Sequence, residues 1–261
     1  HFIHDGLIAF EGIGWESDKV AYRLYLDERS VTDIYGKKLP RPILPSIGQN
    51  EGDYHVMNDW GQDIFQVDKS LGSGGIGIVK NGKAEQIGPS TIAAEVANTA
   101  ITGHATVTHS DFDSGGGSLR AHYKISYGQA LTFVDAAATG SVSPFAAGFR
   151  HHPGVLLLKG EKSEAWSYFA SWGQQALTND NLGLAIFFKP KDTTGDVRDD
   201  GRTYFVTFKD PGHVRYAFGA TWVQDLSGVR DLNGFNAWLD STVDGLNHPV
   251  VVKLLSKHDK D

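Results

Sequence analysis

Short runs of alternating apolar and polar side chains recur along nearly the whole chain, separated by tight-turn residues. Residues 19–27 (KVAYRLYLD) set Val20, Tyr22, Leu24 and Leu26 on one face and Ala21, Arg23 and Tyr25 on the other. That period of two belongs to a strand with one buried face, and here the odd face reads as a surface able to carry function. Comparable runs fall at 75–79, 104–109, 118–127, 130–136, 155–159, 164–171, 182–188, 202–208 and 213–221. Asn81-Gly82, residues 114–117, Asp200-Gly201 and Pro211-Gly212 supply turns between them. Glycine, at 31 of 261 residues, suits many short strands joined tightly. The expected fold is therefore all-β, a large antiparallel β-sandwich with one or two short helices. Those helices are placed at 88–95, with Pro89 in the first turn, and at 233–246. The second has Phe235, Trp238, Leu239, Val243 and Leu246 along one side and Asn233 or Asp231 as cap.

No repeat or composition break divides residues 1–261, so one domain is expected. The loop at 37–54, rich in proline and glycine, reads as a cover over a site. No stretch approaches eighteen apolar residues, so no membrane-spanning helix is expected. The chain opens at His1, which on its own suggests a processed product. With no cysteine, disulfides, thiolate metal sites and a cysteine nucleophile are excluded. The net charge of −7 is spread along the chain, which disfavours nucleic acid as a partner. An acidic sugar needs only one or two local cations and stays open.

The densest set of chemistry-bearing side chains lies at 51–75: Tyr54, His55, Asn58, Asp59, Trp60, Asp63 and Lys69, followed by glycines 72, 74 and 75. Aromatic faces for the C–H faces of a pyranose, beside amides and carboxylates for its hydroxyls, suit a sugar-binding wall. The bland alternative is a surface loop anchored by Trp60. The glycines fit neither spacing of a phosphate-binding loop. A second set, residues 149–153 (FRHHP), offers Arg150 as a carboxylate clamp and His151 as a proton-transfer group. Trp166, Tyr168 and Ala170 share a strand face and read as core, while Trp172 is a candidate sugar contact.

Eleven histidines raise the question of a metal. His104 and His109 fall on opposite faces of their strand, His122 stands alone on its own, and no HExxH or HxH occurs. No local metal site is expected and no cofactor is called for, which leaves open a divalent-metal site assembled from distant strands. A nucleophile elbow GxSxG is also absent.

GWESDKVAYRLYLD (14–27), DIYGKKLP (33–40) and DYHVMNDWGQDIFQVDKSLGSGG (53–75) resemble a bacterial family of unknown-function domains. Its members recur in polysaccharide-utilisation loci for pectin-like and marine algal glycans. The shared pattern is Trp-Glu-x-Asp, Arg-x-Tyr, Tyr-His, Gly-x-Asp and Gly-x-Gly-Gly, strongest over the first eighty residues. It continues loosely through 166–174, 182–186 and 218–222. The resemblance implies a galactose-mutarotase-like β-sandwich in the periplasm or secreted, acting on acidic oligosaccharides. Epimerases, uronate lyases and glycosidase accessory domains share that shape.

The leading expectation is β-elimination across C4–C5 of a uronate, by a lyase or a dehydratase. Arg150 or Arg23 would neutralise the carboxylate, His55 or Tyr54 take the C5 proton, and His151 or a tyrosine protonate the departing oxygen. Asn58, Trp60, Asp63, Lys69 and Trp172 would hold the saccharide. The alternatives are hydrolysis by a carboxylate pair drawn from Glu16, Glu51, Asp59 and Asp63, sugar epimerisation, and a non-catalytic binding module.

Overall fold

The computed structural model describes residues 9–48, 53–113, 116–140, 142–161 and 165–251. Among them the alternating runs become strands β1 (Ile13–Glu16), β2 (Val20–Leu24), β3 (Thr32–Lys37), β4 (Gly61–Asp63), β5 (Ile76–Lys80) and β6 (Lys83–Glu85). Next come β7 (Thr91–Asn98), β8 (Thr102–Phe112), β9 (Gly117–Ser126), β10 (Leu131–Thr139), β11 (Phe145–Arg150) and β12 (Leu156–Lys159). The chain continues with β13 (Ser167–Gln174), β14 (Asn181–Phe188), β15 (Arg198–Asp199), β16 (Thr203–Thr207), β17 (Val214–Trp222) and helix α1 (Leu232–Asn247).

Eight strands form one sheet, in the order β12-β13-β14-β17-β10-β9-β8-β7. Facing it lie a four-stranded sheet, β1-β2-β3-β4, and a five-stranded sheet, β15-β16-β11-β5-β6. The inward residues of all three sheets, among them Tyr22, Ile34, Val107, Phe149, Ile186 and Phe218, make one continuous core. The fold is thus an all-β antiparallel sandwich, as the alternation predicts. Residues 72–75 join the two smaller sheets into one layer: Gly72 bridges Thr32 in parallel, Ser73 N donates to Thr32 O, and Arg150 N donates to Gly72 O. Gly72 has φ +72°, and a side chain there would strike the Thr32 carbonyl. The glycine run therefore serves close backbone approach.

Helix α1 packs on the outer face of the eight-stranded sheet. Phe235 and Leu239 are buried against Ala170, Trp172, Ala185, Phe187 and Ala217, the small residues leaving room for the rings. Asp231 caps it by accepting from Gly234 N at 2.8 Å. The helix expected at 88–95 is instead strand β7, paired with β8 at the sheet edge. The open backbone edge of β8 and the β-branched Thr91, Ile92 and Val96 outweigh the start signal at Pro89. β3 and β11 are further strands that alternation did not show. Both are buried on both faces, so the period is lost.

Candidate functional site

β2 and β3 each turn one face inward and one outward. Val20, Tyr22, Leu24 and Ile34 enter the core, while Ala21, Arg23, Asp33, Tyr35 and Lys37 lie on the outer face of the four-stranded sheet. That face is not open to solvent, contrary to the expectation for the odd side of residues 19–27. Residues 38–48 and 53–60 cover it, and Ile43, Ile47 and Trp60 bury themselves on Ala21 and Tyr35. Such a cover tolerates charge beneath it because the charges are paired. Lys37 Nζ, fully buried, lies 2.8 Å from Glu16 Oε2, and burial lowers its pKa. The loop at 37–54 is thus a cover in its described part, and what it covers is this layer.

At the centre lies Arg23, 4% exposed. Its Nε and Nη2 donate to Asp33 Oδ2 at 3.0 and 2.7 Å, and Nη2 also donates to Asp63 Oδ2 at 2.8 Å. The Tyr25 hydroxyl donates to Asp33 Oδ2 at 3.0 Å. Two carboxylates thus share one buried guanidinium. Burial, and then the Asp33 charge, push the Asp63 carboxyl well above the usual carboxylate range, while Arg23 draws it back. The Arg23 guanidinium lies over the rings of Tyr25, Tyr35 and Tyr54, at 4.5, 5.2 and 5.4 Å from their centroids. The Tyr54 hydroxyl is 3.5 Å from Arg23 Nη1, the outer limit of a hydrogen bond. Two buried donors in this cluster, Tyr35 Oη and Trp60 Nε1, have no protein partner, a condition that usually marks a water or ligand contact.

His55 sits at the surface beside Tyr54, with ring centroids 4.2 Å apart. Its Nδ1 is 2.9 Å from Asp53 Oδ1, and hydrogen bonds from the His55 backbone and ring hold the Asp53 pKa down. The pair fixes the imidazole and leaves Nε2 to exchange a proton. The structure therefore brings together Arg23, Tyr54, His55 and Asp63. It also adds Tyr25, Asp33 and Tyr35, which sequence reasoning passed over. Tyr25 shares the odd face of residues 19–27 with Arg23, which was the signal for it, whereas β3, buried on both faces, gave none for Asp33 and Tyr35.

Arg150 ends β11 with its side chain on the same outer side, since Phe149 before it enters the core. Two strand spacings, roughly 10 Å, separate it from β3 through Gly72. Arg150 Nη1 donates to Gln66 O at 2.9 Å and Gln66 Oε1 at 3.4 Å, and Nε and Nη2 have no partner among the described residues. His151 turns away from it, stacking on Tyr204 at 4.7 Å with Nδ1 2.9 Å from Asp199 Oδ1. Neighbours on an extended chain point to opposite sides, so the expected Arg150–His151 partnership does not form.

The other expected contacts divide. Lys69 and Asp59 are exposed. Asn58 Nδ2 is spent on the carbonyls of Asp53 and Val56. Trp60 is fully buried and Trp172 is stacked under α1 on Phe235 at 5.0 Å, so neither offers a face to a sugar. Trp166 and Tyr168 pack in the same cluster as Trp172, as expected of core. Glu16 is held by Lys37 and by the backbone N–H groups of Ile43 and Leu44. Glu51 lies outside the described residues.

His104 and His109 do face opposite ways, but His122 is not isolated. His104 Nδ1 lies 3.0 Å from His122 Nε2 across the β8–β9 pair, the rings 5.2 Å apart and within 19° of parallel. The nitrogens meet almost in line between the ring centres, the geometry of a shared N–H···N proton. No group of three metal-ligating side chains occurs among the described residues. No described helix is long and apolar enough to cross a membrane.

Residues 2–252 match a family described as a domain of unknown function, DUF4861. No curated protein matches. Among solved structures, the GH36 α-galactosidase AgaA of Geobacillus stearothermophilus aligns at 10% identity and a TM-score of 0.33, over 83% of this chain and 41% of that one. The α-galactosidase of Lactobacillus brevis aligns at 9% and 0.34, over 82% and 40%. The chain thus spans about two-fifths of the length of these structures.

Proposed function

We propose that this chain, which belongs to the DUF4861 family, is a periplasmic or secreted carbohydrate-active enzyme that eliminates across C4–C5 of a uronate unit in an acidic oligosaccharide. The observation that carries the reading is the His55–Asp53 pair packed against Tyr54, on the same side of the layer as the half-committed guanidinium of Arg150. Elimination needs a neutralised carboxylate, a base for the C5 proton and a donor for the departing oxygen.

Arg150, through Nε and Nη2, pairs with the uronate carboxylate and stabilises the enolate-like charge. Arg23 is unsuited to that task because both its carboxylate-facing edges are already taken by Asp33 and Asp63. His55 Nε2 removes the C5 proton, with Asp53 stabilising the resulting imidazolium. The C5–H electron pair becomes the C4–C5 double bond, the C4–O bond breaks, and the Tyr54 hydroxyl protonates the leaving oxygen. A free 4-hydroxyl leaves as water, making the enzyme a dehydratase, whereas a glycosidic oxygen makes it a lyase. These groups carry the step without a cofactor.

Ultraviolet absorbance of the conjugated product, followed on a panel of uronate oligosaccharides with and without unsaturated ends, tests the reading. His55→Ala and Arg150→Ala should each lower the rate by ~10²–10⁴. Both side chains are at least partly exposed, so the fold should survive. Loss of water by mass identifies a dehydratase. A flat trace on every uronate substrate, or full activity in His55→Ala, overturns the proposal, and new reducing ends without a chromophore would establish hydrolysis instead.

A further inference from the structure

A cleft of about 440 Å³ opens at the other end of the same covering loop, between residues 40–45 and the hairpin of β7 and β8. Its size is that of a small-ligand site. One wall is Pro42, Leu44 and Pro45, and the opposite rim carries Ile101 and Tyr127, each 68% exposed. Large apolar side chains clustered this openly around a concavity mark a binding surface. Asn98, Thr99 and His104 place an amide, a hydroxyl and an imidazole between the apolar walls.

Both walls are fixed in advance. Glu16 Oε1 and Oε2 accept from Ile43 N at 3.0 and 2.9 Å, and Oε1 also accepts from Leu44 N at 3.0 Å, while Lys37 holds the carboxylate from below. On the other side Tyr127 N donates to Ile101 O at 2.8 Å, and Asp18 Oδ1 accepts from Gly128 N, pinning the turn that presents Tyr127. A cleft that needs no ordering on binding keeps more of its contact energy as affinity.

Charge selects the occupant. Among the described residues, no lysine or arginine lines the cleft. Of the cations beside it, Lys37 is paired with Glu16 at 2.8 Å, Lys19 with Asp18 at 3.6 Å, and Arg41, between Pro40 and Pro42, donates Nη1 to the Pro42 carbonyl at 3.4 Å. A carboxylate or phosphate in the cleft would meet the carboxylates of Asp18 and Glu16 in its lining. The Thr99 and Thr102 hydroxyls already bond each other at 2.6 Å, and an aliphatic chain would leave the Asn98 amide unanswered. Apolar walls with interleaved hydroxyl and amide groups match the apolar faces and hydroxyl edges of a sugar ring.

From this we infer that the cleft is a saccharide site separate from the one at Tyr54 and His55, and that it takes a neutral pyranose rather than a uronate. The inference does not depend on the elimination chemistry.

Saturation-transfer NMR and calorimetry with xylohexaose, cellohexaose and β-1,4-galactotetraose as neutral probes, and tetragalacturonate as the anionic one, test it. At least one neutral probe should bind, and Tyr127→Ala and Ile101→Ala should each weaken it by roughly 5- to 10-fold. These side chains are largely solvent-exposed, so their loss should leave the fold intact, and Tyr127→Ala should leave turnover of a short uronate substrate unchanged. Absence of binding for every neutral probe at millimolar concentration overturns the inference. So does tetragalacturonate binding that Tyr127→Ala abolishes, or neutral binding indifferent to both substitutions. A flat elimination assay with intact neutral binding would sink the proposed reaction and leave this site standing.

Discussion

His109 makes the stability of this sandwich depend on pH in a way that can be calculated from its surroundings. It lies on the inward side of β8, 2% exposed. Its Nε2 is 2.8 Å from Ser30 Oγ and its Nδ1 3.0 Å from Ser90 Oγ. Two hydroxyls satisfy a neutral imidazole, one giving a proton and one taking it. Desolvation opposes the charged form, and the pKa falls from 6.5 to about 4. The unfolded chain therefore binds this proton more readily than the folded one. The stability contribution is fully present above about pH 6.5, declines as pH falls, and is gone near pH 4. At about 1.4 kcal/mol per pKa unit, the loss is about 3 kcal/mol. A His109→Gln variant keeps one donor and one acceptor but does not titrate. Urea midpoints measured from pH 4 to pH 8 for both proteins cancel the contribution of the carboxylates in the difference. The wild type should lose about 3 kcal/mol more than the variant between pH 7 and pH 4. Parallel curves would mean that His109 is not buried neutral, and would refute the assignment of its environment.

The Arg23 cluster predicts an asymmetry: Arg23→Met, which strands two buried carboxyl groups, should cost about 3–5 kcal/mol in chemical denaturation. Asp63→Asn should gain stability relative to the wild type as pH rises from about 4 to about 8, because over that range the unfolded chain has released a proton that the folded carboxyl retains. A large loss in Asp63→Asn at pH 7 would show that the ionised form is the native one. Gly183→Ala would drive a Cβ into the Phe235 ring, so about 1–3 kcal/mol of stability and the hydrogen-exchange protection of α1 should fall together. Asp231→Ala removes the bond to Gly234 N and should cost about 1 kcal/mol, read from the thermal midpoint.

Period-two alternation was enough to place ten of the strands, because successive side chains of a strand go to opposite faces and one of those faces lines the core. The amphipathic run ending the chain was likewise legible as α1, with Asp231 visible as a cap. Residues 54 and 55 were recognisable as chemistry-bearing, since a tyrosine and a histidine in a polar loop have little structural reason to sit together. What the sequence could not show was everything that depends on a second layer. Arg23 reads as a surface residue until residues 38–48 and 53–60 are laid over it, and only then does its pairing with Asp33 and Asp63 become necessary. Arg150 and His151 look like partners in the sequence, yet the extended backbone sends them to opposite sides. His104 and His122 look unrelated, yet strand pairing sets them in hydrogen-bond contact. Local pattern determined which residues face inward, because side-chain alternation is a property of each strand alone. Which polar groups meet, and which remain free for chemistry, was decided by strand order and by the covering loop, because those contacts join residues far apart in the chain.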